Sequence, residues 1–513
     1  MQSRCYNWLL AAVCTTWLGC AGGEPEASWA PGTGSPHSAG LTTDGGTVLV
    51  TSTSHFHTAG GITEVPNDLS SRNLALLVPN GSTFTQLTGA ATDGGWQFTG
   101  VPPGLYYLKT GSTYTVTDAR EVELDSHDLG RADAVYSPVS TSPVNIHVTN
   151  LAPWMPYRRS TEPGSSLQLA SGQVNLGAML FLDEEVPTGQ TSLVTSAAEM
   201  WNMTGPTPIC EAAKGDRLYV NQLSQLDAGT LPDGGALGYS TVVRSVETAP
   251  FDYTADGITP LSVTGALQPV PQTPFTLDWR LSEYAAHASE VHPTATPATP
   301  DFYVMPSAYG LSHGWVGNVE QVLHLSLPPG TSSDFSRSLS YGTPYPSSWG
   351  MVGYAQSSFR VWLDAPDGAS YGVLGNLFTQ ARLEDLVAGP VRPRVSPPRS
   401  LTLDGMDAST SREVGSLTPV IAWQAPALGT PSAYRVTVFG PRFSSLVIKG
   451  YVYVPGSLTQ VRLPPGLLSP GAIHYLRVTA IDAPFLDLSR MGATRHLLPN
   501  AHADALSAIF TTP

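Results

Sequence analysis

A multi-domain, all-β chain is the fold class this sequence predicts, and three observations carry the prediction. Glycine (50) and proline (45) supply turn residues at short intervals. Charged residues make up only 13%, which leaves few of the Lys, Glu and Arg side chains that build solvated helices. Apolar residues, at 41%, can fill cores but come mostly in short alternating runs, the period of a half-buried strand. At about 100 to 200 residues per domain, a chain of 513 residues makes several such units.

The segment MQSRCYNWLLAAVCTTWLGC opens the chain with one cation, Arg4, followed by a short apolar run from Trp8 to Leu18. That run has the length of a secretory h-region and is too short to cross a bilayer as a helix. It ends at Leu18-Gly19-Cys20, which resembles the lipobox of bacterial lipoproteins, with Trp17 standing where that pattern has a smaller aliphatic residue. The resemblance implies that Cys20 is lipidated and becomes the mature N-terminus. An ordinary signal peptide cut a few residues later is the alternative. Ala21 after the cysteine, rather than aspartate, resembles lipoproteins sent to the outer membrane. Residues 21–46, small, proline-broken and without apolar period, read as a flexible tether. Attachment would then rest on lipid alone, at about 0.8 kcal/mol per buried methylene.

The balance of 25 basic against 40 acidic residues gives a net charge of −15. Such a chain repels a polyanion, so nucleic acid is not an expected partner. Cys5 and Cys14 fall in the leader and Cys20 at its end, which leaves Cys210 alone in the mature protein. No cation stands beside it in sequence, and it reads as a small buried hydrophobe rather than a nucleophile.

The first folded unit is expected over 47–140. Val48, Val50 and Ser52 alternate with Leu49 and Thr51, Leu74–Val78 is a short apolar run closed by Pro79-Asn80-Gly81, and Asp93-Gly94 is a hairpin signal because a tight primed turn demands positive φ. Thr92, Asp93, Gly95, Phe98, Pro103, Gly104, Tyr106 and Leu108 resemble the turn-and-strand signature of the carboxypeptidase regulatory-like, or transthyretin-like, domain. That resemblance, over about Leu74 to Asp133, implies a small β-sandwich without catalytic residues.

Residues 141–395 form a β-rich middle region of one or two sandwiches, with strand-like runs separated by Gly/Pro turns. Two helices are expected as exceptions: Ser282–Val291, capped by Ser282, and Leu374–Val387, where Leu374, Leu377, Phe378, Ala381 and Leu386 share a face. In the run from Tyr354 to Leu363 the odd positions are apolar and should face the core. Tyr354, Gln356, Arg360 and Trp362 then lie on the outer side. Tyr354, Arg360 and Trp362 are read either as covered by a neighbouring unit or as a platform on which planar rings stack on a sugar or aromatic ligand.

A proline-stiffened linker is expected over 396–415, and a last unit over 416–513. Ile421-Ala-Trp423, Tyr434–Val438, Leu468–Gly471 and Leu476–Ala480 resemble a fibronectin type III-like domain in their order. The family's corner tyrosine falls here on His474, with Tyr475 one residue later. Either His474 replaces the phenol's hydrogen bond to backbone, or a bulge brings Tyr475 inward.

Enzyme-like strings are few. Gly310-Leu311-Ser312-His313-Gly314 fits G-x-S-x-G, yet Pro306 interrupts the approach and the following residues start a helix poorly. A serine hydrolase using Ser312 is therefore the alternative and not the main reading, which assigns no catalytic residue. His55 and His57, at i and i+2, put two imidazoles on one side of a strand as a metal pair needs, but no third ligand is identifiable. Glu283 and His287 are read as a helix-surface pair. No metal and no cofactor are expected. The whole arrangement resembles multi-domain bacterial surface lipoproteins: a lipid-anchored envelope protein with a binding, adhesion or scaffolding role, whose partners are the membrane and an envelope polysaccharide or protein.

Overall fold

The computed structural model describes residues 45–139, 141–202, 205–311, 314–443, 445–490 and 497–513. Cys20 and most of the tether lie outside the described residues, as do Ser312 and His313. The described chain is almost all β and forms several sheets.

In the first unit Gly46–Thr51 lies between a parallel neighbour, Glu121–Glu123, and an antiparallel one, Gly95–Val101. The hairpin expected at Asp93-Gly94 forms: Thr92 pairs with Gly95, and Gly94 takes φ +96°, a region open to glycine. A second layer contains Ala75–Asn80, Thr83–Leu87, Tyr106–Thr110 and Thr113–Thr117. Val48, Val50, Leu76, Phe98, Tyr106 and Leu108 pack between the layers. Strand alternation sends Leu77 and Tyr107 to the opposite side, where they join a different and much larger core. Ala75–Leu77 and Tyr106–Leu108 are thus buried on both faces, which accounts for the unbroken apolar run at 74–78, while Thr83–Leu87 stays largely exposed.

What covers its outer face is the last unit. Thr113–Thr117 pairs in parallel with Ser445–Pro455, with Tyr451 opposite Thr113 and Tyr453 opposite Thr115. The Tyr107 hydroxyl donates to the Arg462 carbonyl at 3.0 Å and the Tyr114 hydroxyl to the Pro465 carbonyl at 3.2 Å. Gly450 permits the approach, since a Cβ there would sit 2.3 Å from the Ser112 carbonyl oxygen. The first and last units are therefore stitched edge to edge, and one hydrophobic cluster runs from Ala75 to Phe510.

The middle region holds two cores. Thr141–Thr149, Ser166–Ser171, Leu176–Leu182 and Ala198–Asn202 help enclose Val144, Ile146, Leu169, Met200 and Val263. Beyond them, Thr296–Ser307, Gly350–Asp364 and Ser370–Arg382 build the sheet over Phe302, Phe359 and Val361. Ala236–Glu247 pairs with Leu323–Ser326 and carries the sheet from one part to the other.

Three local expectations need correction. Leu374–Arg382 is strand, part of Ser370–Arg382, and only Leu383–Leu386 makes a helical turn. The strand is hydrogen-bonded to Gly350–Asp364 on one side and Asn500–Leu506 on the other, and this pairing overrides an apolar spacing that also suits a helix. The helix expected over 282–291 is two short pieces, Leu281–Ala285 and Ala288–Val291, and Ser282 is not its cap. Arg280 holds that position, while the Ser282 amide and hydroxyl both donate to the Asp334 carboxylate. Finally, the stretch read as linker contributes Arg399–Leu403, which pairs with Val420–Gln424 inside the last unit.

In that last unit Met406–Asp407, Arg399–Leu403, Val420–Gln424 and Gln460–Arg462 form one sheet. Ser445–Pro455, Ala433–Arg442, Ile473–Asp482 and Asn500–Leu506 form the other. Trp423 and Tyr434 meet between the two, with ring centres 5.0 Å apart.

Candidate functional site

The outward face of Gly350–Asp364 divides into a covered part and an open part. Ala355, Ser357, Phe359, Val361 and Leu363 are all buried, as the alternation required. On the other side Tyr354 is only half-buried. Its hydroxyl and the Asn318 side chain exchange hydrogen bonds at 2.8 and 3.1 Å, and its ring lies 5.7 Å from Phe378. Arg360 is exposed and Trp362 is 60% exposed. The indole lies across Gly372, its register partner on the neighbouring strand, where a Cβ would come within 3.1 Å of the ring.

At about 3.3 Å per residue, Tyr354 and Trp362 stand roughly 26 Å apart along the strand, whereas Arg360 and Trp362 are separated by only about 7 Å. One sugar ring cannot touch both aromatics. The structure brings Arg360 and Trp362 together and leaves Tyr354 apart, under the segment that carries Asn318.

His55 and His57 do lie on one side of Thr53–Thr58, and both are buried. A third imidazole joins them from a strand the sequence did not connect to them. His127, on Ser126–Leu129, is in register with His55, and its Nδ1 touches His57 Nε2. Trp315, from the middle region, stacks on His57 with ring centres 3.7 Å apart and planes 19° from parallel. His55 Nδ1 is 3.3 Å from Glu64 and its Nε2 3.5 Å from Asp125, so both of its nitrogens face carboxylates and not a common centre. Among the described residues no three His, Cys, Asp or Glu side chains are placed to hold a metal ion. The cluster clasps the first unit to the middle region. Burial, then the charge of His55, pushes the His57 pKa down to about 4, so its ring is neutral at pH 7.

The remaining sequence candidates disperse. Glu283 pairs with Arg392 at 3.0 Å, while His287 Nδ1 lies 3.3 Å from Glu290. His292 Nδ1 sits 2.9 Å from the Thr294 hydroxyl. Cys210 is a buried free thiol whose pKa is pushed up to about 12, first by burial and then by the Asp216 charge. Ahead of Ser312, Tyr309 and Gly310 both take positive φ, and no α-helix follows Gly314 through Glu320 among the described residues. His474 is fully buried, with Nδ1 3.1 Å from the Phe439 carbonyl and Nε2 accepting the Ser469 amide at 3.2 Å. Both of its ring nitrogens thus lie against backbone groups, and Tyr475 stacks on Phe439 at 4.2 Å.

No protein-family model matches the chain, and no curated protein matches it. What the geometry itself establishes is a large multi-domain β architecture, compatible with a surface protein that binds or scaffolds. Among the described residues no helix is long and apolar enough to cross a membrane.

Proposed function

We propose that this chain is a lipid-anchored cell-envelope protein, held through Cys20 at the outer membrane, that acts as a binding or scaffolding module. Its first unit is read as a transthyretin-like sandwich and its last as a fibronectin type III-like one. A four-stranded sheet facing Ser445–Pro455, Ala433–Arg442, Ile473–Asp482 and Asn500–Leu506, with Trp423 against Tyr434 between the layers, supports the second assignment. The observation that carries the functional reading is the stitching of the first unit to the last through the pairing of Thr113–Thr117 with Ser445–Pro455. A chain joined in this way holds its surface residues at fixed spacing, which suits presentation to a partner better than independent beads on flexible linkers would.

Within that role an envelope polysaccharide is the favoured ligand, because Trp362 and Arg360 are exposed side by side on a strand whose other face is packed. An indole face stacks on sugar rings, and a neighbouring guanidinium donates to hydroxyls or carboxylates. Pull-down of the full chain on isolated cell-wall polysaccharide, compared with Trp362→Ala, tests this. The reading expects capture by wild type and loss in the variant. Equal capture of both would remove Trp362 from the site.

A further inference from the structure

The outer side of Gly350–Asp364 continues past Trp362 and Arg360 as a polar strip that crosses onto Ser370–Arg382. Register places Trp362 opposite Gly372, Arg360 opposite Leu374, Ser358 opposite Asn376 and Gln356 opposite Phe378. Register partners share a face, so these residues line one track that runs along both strands. At about 3.3 Å per residue, the track is roughly 20 Å long from Trp362 to the row of Gln356. A ring stands at each end, the exposed indole of Trp362 and the half-buried Phe378, with hydrogen-bonding groups between them.

The polar middle is fixed by bonds within itself. Ser358 Oγ donates to Asn376 Oδ1 at 2.8 Å, and Gln356 Nε2 donates to Ser358 Oγ at 3.1 Å and toward Asn376 Oδ1 at 3.4 Å. The Asn376 backbone amide donates to Asp504 at 3.0 Å. These contacts occupy one atom of each side-chain amide. The other atoms, Asn376 Nδ2 and Gln356 Oε1, have no partner among the described residues, and neither has the Arg360 guanidinium. Both amide side chains keep partial exposure, so a donor and an acceptor face solvent at set positions. Charge along the track cancels. Arg360 stands against Asp364, one step past Trp362 on the same side, while the flanking Asp301 and Asp504 are engaged by His324 at 3.0 Å and Arg477 at 3.7 Å.

From this we infer that the track binds an uncharged polysaccharide as an extended segment several sugars long, laid along the strands with one sugar on Trp362 and another on Phe378. The inference rests on the reading of Trp362 as a sugar platform and adds the length, direction and charge class of the chain bound there. A side-chain amide offers a donor and an acceptor, which matches sugar hydroxyls that are both at once. Apolar ring faces at the two ends take the C–H faces of the sugars. A ribbon-like chain with equatorial linkages is straight enough to follow two strands, whereas a single terminal sugar would sit on Trp362 and leave the amides unused. An acidic chain would gain at Arg360 and lose at Asp364, so charge gives it no advantage.

Calorimetric titration of the full chain with cellobiose, cellotetraose and cellohexaose, and with the matching chitin oligosaccharides, reads the length. Affinity is expected to rise about tenfold or more from disaccharide to tetrasaccharide in at least one series, and to change by less than about threefold beyond it. Asn376→Asp keeps the oxygen that Ser358 needs and removes the outward donor, and Gln356→Ala removes the outward acceptor. Each should weaken tetrasaccharide binding about fivefold, the scale of one neutral hydrogen bond, and leave disaccharide binding unchanged. Trp362→Ala should lose both. A disaccharide bound as tightly as the tetrasaccharide, with both amide variants like wild type and Trp362→Ala silent, would overturn the extended-chain inference and leave the Trp362 platform standing. Tetragalacturonate bound more tightly than either neutral tetrasaccharide would overturn the charge class. Binding of no oligosaccharide by the wild type would overturn the inference and the platform together.

Discussion

Acidification from pH 8 to pH 4.5 loads two buried groups in opposite senses, and their effects on stability nearly cancel. His57, stacked under Trp315, has its pKa pushed from 6.5 to about 4. The unfolded chain therefore binds this proton first, and stability that is complete above pH 6.5 drains away as pH falls toward 4. Over this range the loss is about 2.5 kcal/mol. Glu320 behaves the other way. It is buried beside Tyr345, and desolvation lifts its pKa from 4.5 to about 7, with the Gln321 amide opposing part of that rise. The folded state holds this proton more tightly, so stability is lost as pH rises from 4.5 through 7, and acidification from pH 8 to 4.5 returns about 3 kcal/mol. Burial lowers the pKa of His292 and His474 as well, which adds to the side of His57.

Single substitutions should separate these opposing slopes within the wild-type profile. Glu320→Gln is expected to be more stable than wild type by about 3 kcal/mol at pH 8 and nearly equal to it at pH 4.5. His57→Phe should gain on wild type by about 2.5 kcal/mol as pH falls from 8 to 4.5, whatever its offset at pH 8. Urea unfolding followed by tryptophan fluorescence, with Trp315 reporting from the clasp, measures the differences at each pH. A steep wild-type profile left unchanged in slope by both substitutions would refute the reasoning.

Two further outcomes follow from the geometry. Gly450→Val drives side-chain carbon into the Ser112 carbonyl, found 2.3 Å from the Cβ position, and should cost roughly 3 kcal/mol or more by breaking the seam between first and last units. Amide exchange of Tyr114 and Thr115 measured by mass spectrometry should accelerate in the variant, and unchanged protection would contradict the stitched architecture. A serine-directed fluorophosphonate should leave the chain unlabelled; labelling that disappears in Ser312→Ala would instead promote the hydrolase alternative.

Much of the local structure was legible because it depends on neighbours in sequence. Asp93-Gly94 announces its hairpin, the alternation from Ala355 to Leu363 fixes which side chains are buried, and the same logic places His474 inside its strand. Residues 374–386 misled because a strand flanked on both edges and a helix can show the same apolar positions, and only the partner strands decide. Pro397-Pro398 disguised the strand that begins at Arg399.

The candidate sites were less legible, for a reason of distance. His127 lies 70 residues from His57, and nothing local marks it as the third member of the cluster. The bond from Tyr107 to Arg462 spans 355 residues. On the outer face of Gly350–Asp364 the sequence carries both the side and the spacing that parts Tyr354 from Trp362, but not the distant Asn318 segment that covers Tyr354.

Anchoring through Cys20 is the claim on which the functional account turns, and intact-mass analysis of the chain purified from membranes tests it most directly. The account predicts a chain that begins at Cys20 and carries acyl chains, and that shifts to the soluble fraction in Cys20→Ser. An unacylated chain, or one retaining Met1 through Gly19, would contradict it.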